Sequence, residues 1–184
     1  MRVNPINPKT MNAEVRYVHD EVVKLITTSQ GPVSMLNSES ALTGPFPPML
    51  GFPQFGIPAL SFVRSLDNHA TLPKKVREVA ILTVGAAFGA RFEIYAHEIM
   101  AKHLGFSDQG VASLASGILP TELNQQEVIA YEIASILAKG RIVPDSAYNL
   151  AKEILGQEGV AELIFLVGAY SLLATVLNGF DVLS

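Results

Sequence analysis

The chain of 184 residues contains no cysteine. That absence excludes disulfides, thiolate metal sites, CxxC redox exchange and covalent catalysis by a thiol, since each needs a sulfur that can bond or ionise. Charge is sparse as well: Asp, Glu, Lys and Arg make up 16% of the residues, against 49% hydrophobic. A lone small domain has much surface to cover with polar groups, so part of this apolar excess is expected between the subunits of a homo-oligomer. Concentrated positive charge is missing too. The 13 basic residues are scattered, Lys74, Lys75 and Arg77 being the densest group, and the net charge is −4. Nucleic acid rewards a basic stripe, and none is expected here. Met1-Arg2-Val3-Asn4-Pro5 leads into no apolar signal-peptide run, so the expected location is the cytoplasm.

What is present is helical periodicity. Residues 11–29 place Val15, Val18, Val22, Leu25 and Ile26 on one stripe, and Gly31-Pro32 ends that helix. Residues 31–58 are rich in Gly and Pro, which argues against a helix interior or a central strand. They also carry Phe46, Met49, Leu50, Phe52 and Phe55, so the segment is expected to pack, as a loop lining a pocket or subunit contact.

From residue 59 onward helix follows helix. Thr71 is the expected N-cap of a helix to Phe88, and Gly89 separates it from a second helix, Arg91 to Leu104. A short helix follows Ser107. Asn124 and Glu127 form a capping box, Pro144 opens a helix to Leu155, and an apolar helix runs to Asn178. No alternating strand pattern survives. The expectation is one all-α domain over 1–184, with residues 1–58 as a helix plus packed segment and 59–184 as the helical core. The apolar run 160–180 is long enough to span a bilayer, but Glu162 and Asn178 interrupt it and no Lys or Arg anchor follows. A helix buried inside an assembly is the expected reading, with no membrane partner.

The residues able to carry chemistry cluster in two neighbouring helices. Glu93 and His97 are four apart and share a helix face at about 6 Å. A carboxylate beside an imidazole fixes its orientation, the arrangement of an acid–base histidine. Glu78, on the preceding helix, reaches the pair if the two helices pack antiparallel about Gly89, although the levels differ by about one turn. A tilt or a bridging water closes that gap. The same spacing also suits a plain surface ion pair worth a few tenths of a kcal/mol, about 0.2–0.5. A metal would need further ligands from His69, His103 or another subunit, His103 being expected on the opposite helix face; no cofactor or metal is expected. His19 and His69 are expected to be structural or exposed, and Tyr17, Tyr131, Tyr148 and Tyr170 to pack with a satisfied polar tip.

At this cluster the sequence resembles the carboxymuconolactone decarboxylase and alkylhydroperoxidase D-like superfamily. The resemblance rests on Leu72-Pro73 through Arg77-Glu78-Val79-Ala80-Ile81-Leu82, Phe92-Glu93-Ile94-Tyr95-Ala96-His97, and Ala101 to Gly105. Gly44-Pro45-Phe46 with Met49-Leu50 supports it upstream, and Glu162-Leu163, Gly168, Tyr170 and Leu177-Asn178 support it downstream. It implies an alkylhydroperoxidase D-like helical bundle assembling as a trimer or hexamer, with pockets near subunit contacts. The glutamate and histidine of the peroxidase relay fall on Glu78 and His97, and its two cysteine positions on Ala90 and Glu93. Neither alanine nor glutamate attacks a peroxide oxygen, so thiol peroxidase activity is excluded.

The decarboxylase branch implies lyase chemistry of aromatic-compound catabolism on a cyclic or unsaturated carboxylic acid or lactone. Such chemistry needs a clamp for a carboxylate and a proton donor for a dienolate. On that reading Arg77 or Arg91 holds the carboxylate, Tyr95 contacts the substrate, and His97, set by Glu93 and Glu78, moves the proton. The alternative is a non-catalytic oligomeric ligand-binding or scaffold protein. An enzyme would show a pocket where Glu93 and His97 converge with a buried arginine or an ordered ligand; a scaffold would spend them on interhelical bonds with no cavity beside them.

Overall fold

The structure is a computed structural model that describes residues 1–29 and 31–182, Ser29 by its backbone alone. Eight α-helices account for the architecture: α1 (Ala13–Ser29), α2 (Phe46–Gly51), α3 (Pro53–Asn68), α4 (Lys74–Phe88), α5 (Arg91–His103), α6 (Asp108–Ala115), α7 (Gln125–Ala138) and α8 (Asp145–Gly179). Among the described residues the only β-type pairing is an isolated bridge between Leu36 and Leu42. The chain is all-α.

The centre of the bundle is α4. Val76, Ala80, Ile81 and Val84 pack against Ile129, Ala130, Ile133 and Ala134 of α7 and against Val160, Leu163, Leu166 and Val167 of α8. On another side Val79 and Leu82 meet Ala101 of α5 and Val111 and Leu114 of α6. Each fully buried Leu or Ile here contributes about 1.5–3 kcal/mol. A helix buried on so many sides cannot carry much charge, and its buried Glu78 therefore stands out.

Several helix boundaries follow the sequence signals. Gly89 takes φ of 60°, the left-handed geometry that ends α4, and α5 begins two residues later. Asn124 and Glu127 close a reciprocal capping box, with both bonds at 3.0 Å. The two helices expected after Pro144 form one element broken at Gly156, whose φ is 75°. Its second half buries Leu163, Leu166, Val167 and Leu173 in the bundle and leaves Phe165 and Leu172 exposed.

Three expectations are corrected. The proline-rich segment is helical from residue 46 except at Phe52, and α3 crosses residue 58, so the division of the chain at 58 and 59 runs through a helix. Pro47, Pro48 and Pro53 lie in first turns, where no N–H bond is lost, and α3 tolerates Pro58 inside it. Thr71 does not cap α4, whose first residue is Lys74 after Pro73. Instead Glu162 of α8 collects the Thr71 amide and hydroxyl at 2.7 Å each and the Leu72 amide at 3.0 Å. Finally, α1 packs Val15, Val18, Val22 and Ile26 against Leu42, Leu50 and Phe46, but Leu25 is 51% exposed and falls off that stripe.

Candidate active site

The turn at Gly89 folds α5 back along α4 and brings Glu78 to His97. Oε1 of Glu78 lies 2.7 Å from Nδ1 of His97, a direct contact with no water needed. Glu78 is buried. With Glu78 ionised, Nδ1 carries the proton and donates it, which leaves Nε2 as the lone-pair nitrogen. Among the described residues Nε2 accepts no protein hydrogen bond. The partner that orients His97 is thus Glu78, and not Glu93 as the spacing on α5 suggested.

Glu93 has a different role. It is 3% exposed, and neither carboxyl oxygen has a hydrogen-bond partner among the described residues. Burial, reinforced by the nearby Glu78 charge, pushes its pKa up to about 9. At neutral pH Glu93 is a neutral carboxylic acid with an unspent O–H. The packing that admits it is tight: a β-carbon on Gly85 of α4 would stand 3.4 Å from its Oε1 and 3.3 Å from Ile94 Cγ1.

Two hollows meet at His97 and Tyr170. The inner one, about 180 Å³, is lined by Glu93, His97 and Tyr170 together with Phe46, Leu60, Val63, Phe92, Leu173 and Leu177 among other apolar side chains. The outer groove, about 660 Å³, is lined by His97 and Tyr170 with Glu78, Arg77, Lys74 and His103. His103, expected on the opposite face of α5, therefore borders the same wide groove as His97. The Tyr170 ring meets the imidazole edge-on, 5.3 Å between centroids at 82°. Burial, then the charges of Asp67 and Glu78, push its phenol above the ordinary range, so it remains a proton-bearing hydroxyl. Periodicity marked Tyr170 as packing only; the signal for it was its place in the α8 pattern of the superfamily resemblance.

The remaining sequence-nominated residues stand elsewhere or are engaged. Arg77 bonds Asp67 at 2.7 Å and pairs with Glu162 at 3.3 Å, so two carboxylates already surround its guanidinium. Arg91 is solvent-exposed and pairs with Asp181 at 2.7 Å. Tyr95 is 44% exposed and packs on Phe92. Neither Arg91 nor Tyr95 lines either hollow beside His97. His19 is buried between Asp20 and the Ser40 carbonyl, and His69 bonds its own helix at the Ser65 carbonyl.

No family model and no curated protein matches the sequence. Solved structures do match the fold. One is a protein of unknown function from Agrobacterium tumefaciens, a candidate antioxidant-defence protein AhpD, at a TM-score of 0.61 and 15% identity over 70% of this chain and 89% of that one. Another is a cysteine-to-alanine variant of the debrominase Bmp8 in complex with 2,3,4-tribromopyrrole, at a TM-score of 0.71 and 10% identity over 99% of this chain and 90% of that one. Two such overlaps across an all-helical bundle identify the architecture: this chain has the alkylhydroperoxidase D-like fold.

Proposed function

We propose that the chain is a small-molecule enzyme that moves protons on a cyclic or unsaturated carbonyl compound of the lactone or carboxylic-acid class, without thiol chemistry. The observation that carries this reading is the neutral Glu93 carboxyl, unbonded at both oxygens, lining the same hollow as an imidazole anchored by Glu78. A buried acid and a partly exposed imidazole set apart by their surroundings form an acid–base pair. His97 does spend Nδ1 on an interhelical bond to Glu78, but Glu93 stays unbonded and a hollow lies beside both, which favours the enzyme over a scaffold.

The step is an enolisation. His97 Nε2 takes a proton from the carbon next to the carbonyl, and that C–H electron pair becomes a carbon–carbon double bond. The carbonyl π pair moves to oxygen, which receives the Glu93 proton. Return of the His97 proton to a conjugated carbon, with the enol proton going back to Glu93, shifts the double bond and restores both groups. Glu78 holds the tautomer and balances the imidazolium. The apolar side chains around the pair lower the local polarity, which strengthens both contacts. Decarboxylation, the lyase reaction implied by the sequence resemblance, further needs a cation for the departing carboxylate. Arg77, engaged by two acids, supports that less well than it supports the proton shift.

The test is deuterium exchange: a panel of lactones and enolisable acids is incubated with enzyme in heavy water and followed by NMR. Exchange that disappears in His97→Ala and Glu93→Gln supports the reading, and exchange that persists in both ends it.

The same proposal includes a soluble, cytoplasmic homo-oligomer of trimeric or hexameric order. Phe62 of α3 meets Phe165 of α8 edge-on at 6.3 Å, and with Phe55 and Leu172 these rings leave an apolar face toward solvent. A subunit contact there would bury it.

A further inference from the structure

We propose that the hollow beside Glu93 takes an uncharged, ring-sized molecule carrying a hydrogen-bond acceptor, to which the Glu93 carboxyl donates, and that it rejects carboxylates. This narrows the substrate class of the acid–base site and draws its catalytic meaning from that reading, though its binding claim stands alone.

The polar groups of the hollow are Glu93, His97 and Tyr170, and the other side chains of its wall, Met35 included, are apolar. None of the three carries a fixed positive charge. Lys74 and Arg77 line the outer groove instead, and Arg77 is held between Asp67 and Glu162. A protonated His97 offers no spare charge either, because Glu78 already faces it at 2.7 Å. An anion entering the hollow would lose its water, gain no cation and approach the Glu78 charge. A neutral acceptor meets the reverse situation. The buried Glu93 O–H lacks a partner, a deficit that a carbonyl oxygen makes good.

Size sets the rest. A hydrocarbon-lined cavity of about 150 Å³ holds a benzene ring. The hollow here is about 180 Å³, enough for one six-membered ring with a small substituent.

Three probes of one ring size separate the possibilities: 2-cyclohexenone, cyclohexene and 1-cyclohexene-1-carboxylate, titrated into the full chain near pH 7 with ligand-detected NMR. The expected order is cyclohexenone at least about tenfold tighter than cyclohexene, with no saturable binding of the carboxylate. The cyclohexenone preference should vanish at about pH 10, above the Glu93 pKa of about 9. Glu93→Gln, which keeps an N–H donor, should retain the preference. Glu93→Leu should lose it while still binding cyclohexene, which shows that the hollow remains folded. Carboxylate binding equal to the enone, equal binding of enone and cyclohexene, or no binding of any probe overturns the proposal. Cyclohexenone bound as described, but with no compound in the panel exchanging deuterium, would end the acid–base reading and leave the ligand class standing. A carboxylate that binds and exchanges would do the opposite.

Discussion

Oε1 of Glu78 and Nδ1 of His97 lie 2.7 Å apart across the α4–α5 turn, which makes a residue of the central helix the anchor of the His97 imidazole. Glu78→Gln keeps the shape and removes the charge. A charge-assisted bond of this kind is worth about 1.5–3 kcal/mol. If that difference is felt in the transition state, turnover should fall about 10- to 100-fold with little change in KM. Nitrogen-15 NMR of His97 provides the second readout: the wild type should show one tautomer, with the proton on Nδ1, and the variant a mixture.

Glu93 makes stability depend on pH with a definite sign. Its carboxyl has a folded pKa of about 9 against an ordinary 4.5, so between those values the native chain holds a proton that the unfolded chain has released. Stability from this group is complete below pH 4.5 and declines by up to about 1.4 kcal/mol per pH unit as pH rises toward 9. Glu93→Gln removes the dependence. Urea denaturation should show the variant gaining on the wild type as pH is raised from about 5 to 8; a constant difference between the two would contradict the assignment.

Arg77 should behave as a structural residue. Its partner Glu162 has a side chain only 8% exposed and ties down the entry to α4 through Thr71 and Leu72. Arg77→Met leaves that acid without its counter-charge and should destabilise the fold by about 3–5 kcal/mol. KM for an uncharged substrate should stay unchanged in protein that remains folded. Arg91→Ala, at an exposed pair, should alter stability by less than about 0.5 kcal/mol and leave turnover as it was.

The apolar face of α3 and α8 gives a prediction about assembly. Phe165→Glu places a charge where Phe62 and Phe165 meet at 6.3 Å. Sedimentation should show the wild type as a trimer or hexamer and the variant as smaller species with unchanged helical circular dichroism. A monomeric wild type would remove the proposed assembly.

The helices were legible wherever the signal was local. Gly89 and the Asn124–Glu127 box each fix the backbone through their own chemistry, and such caps and stops placed α4 through α7 to within a few residues, while α8 was expected as two helices. The proline-rich segment misled because a count of prolines ignores position, and a first-turn proline such as Pro47 or Pro53 opens a helix as readily as it ends one. Within the site, Glu78, Glu93 and His97 were nominated from spacing and resemblance. Which acid orients the histidine was not legible, because it depends on the rotation of α5 against α4. Tyr170 and the engagement of Arg77 were hidden for the same reason, since both depend on contacts with α8, which lies far along the chain.

The carbon-13 signal of the Glu93 side-chain carboxyl, followed through a pH titration of the folded chain, tests the account most directly. A carboxyl still protonated at neutral pH, with a midpoint near 9, is the predicted result. A midpoint at the ordinary 4.5 would mean an ionised side chain in contact with water and would contradict its role as the acid of the site.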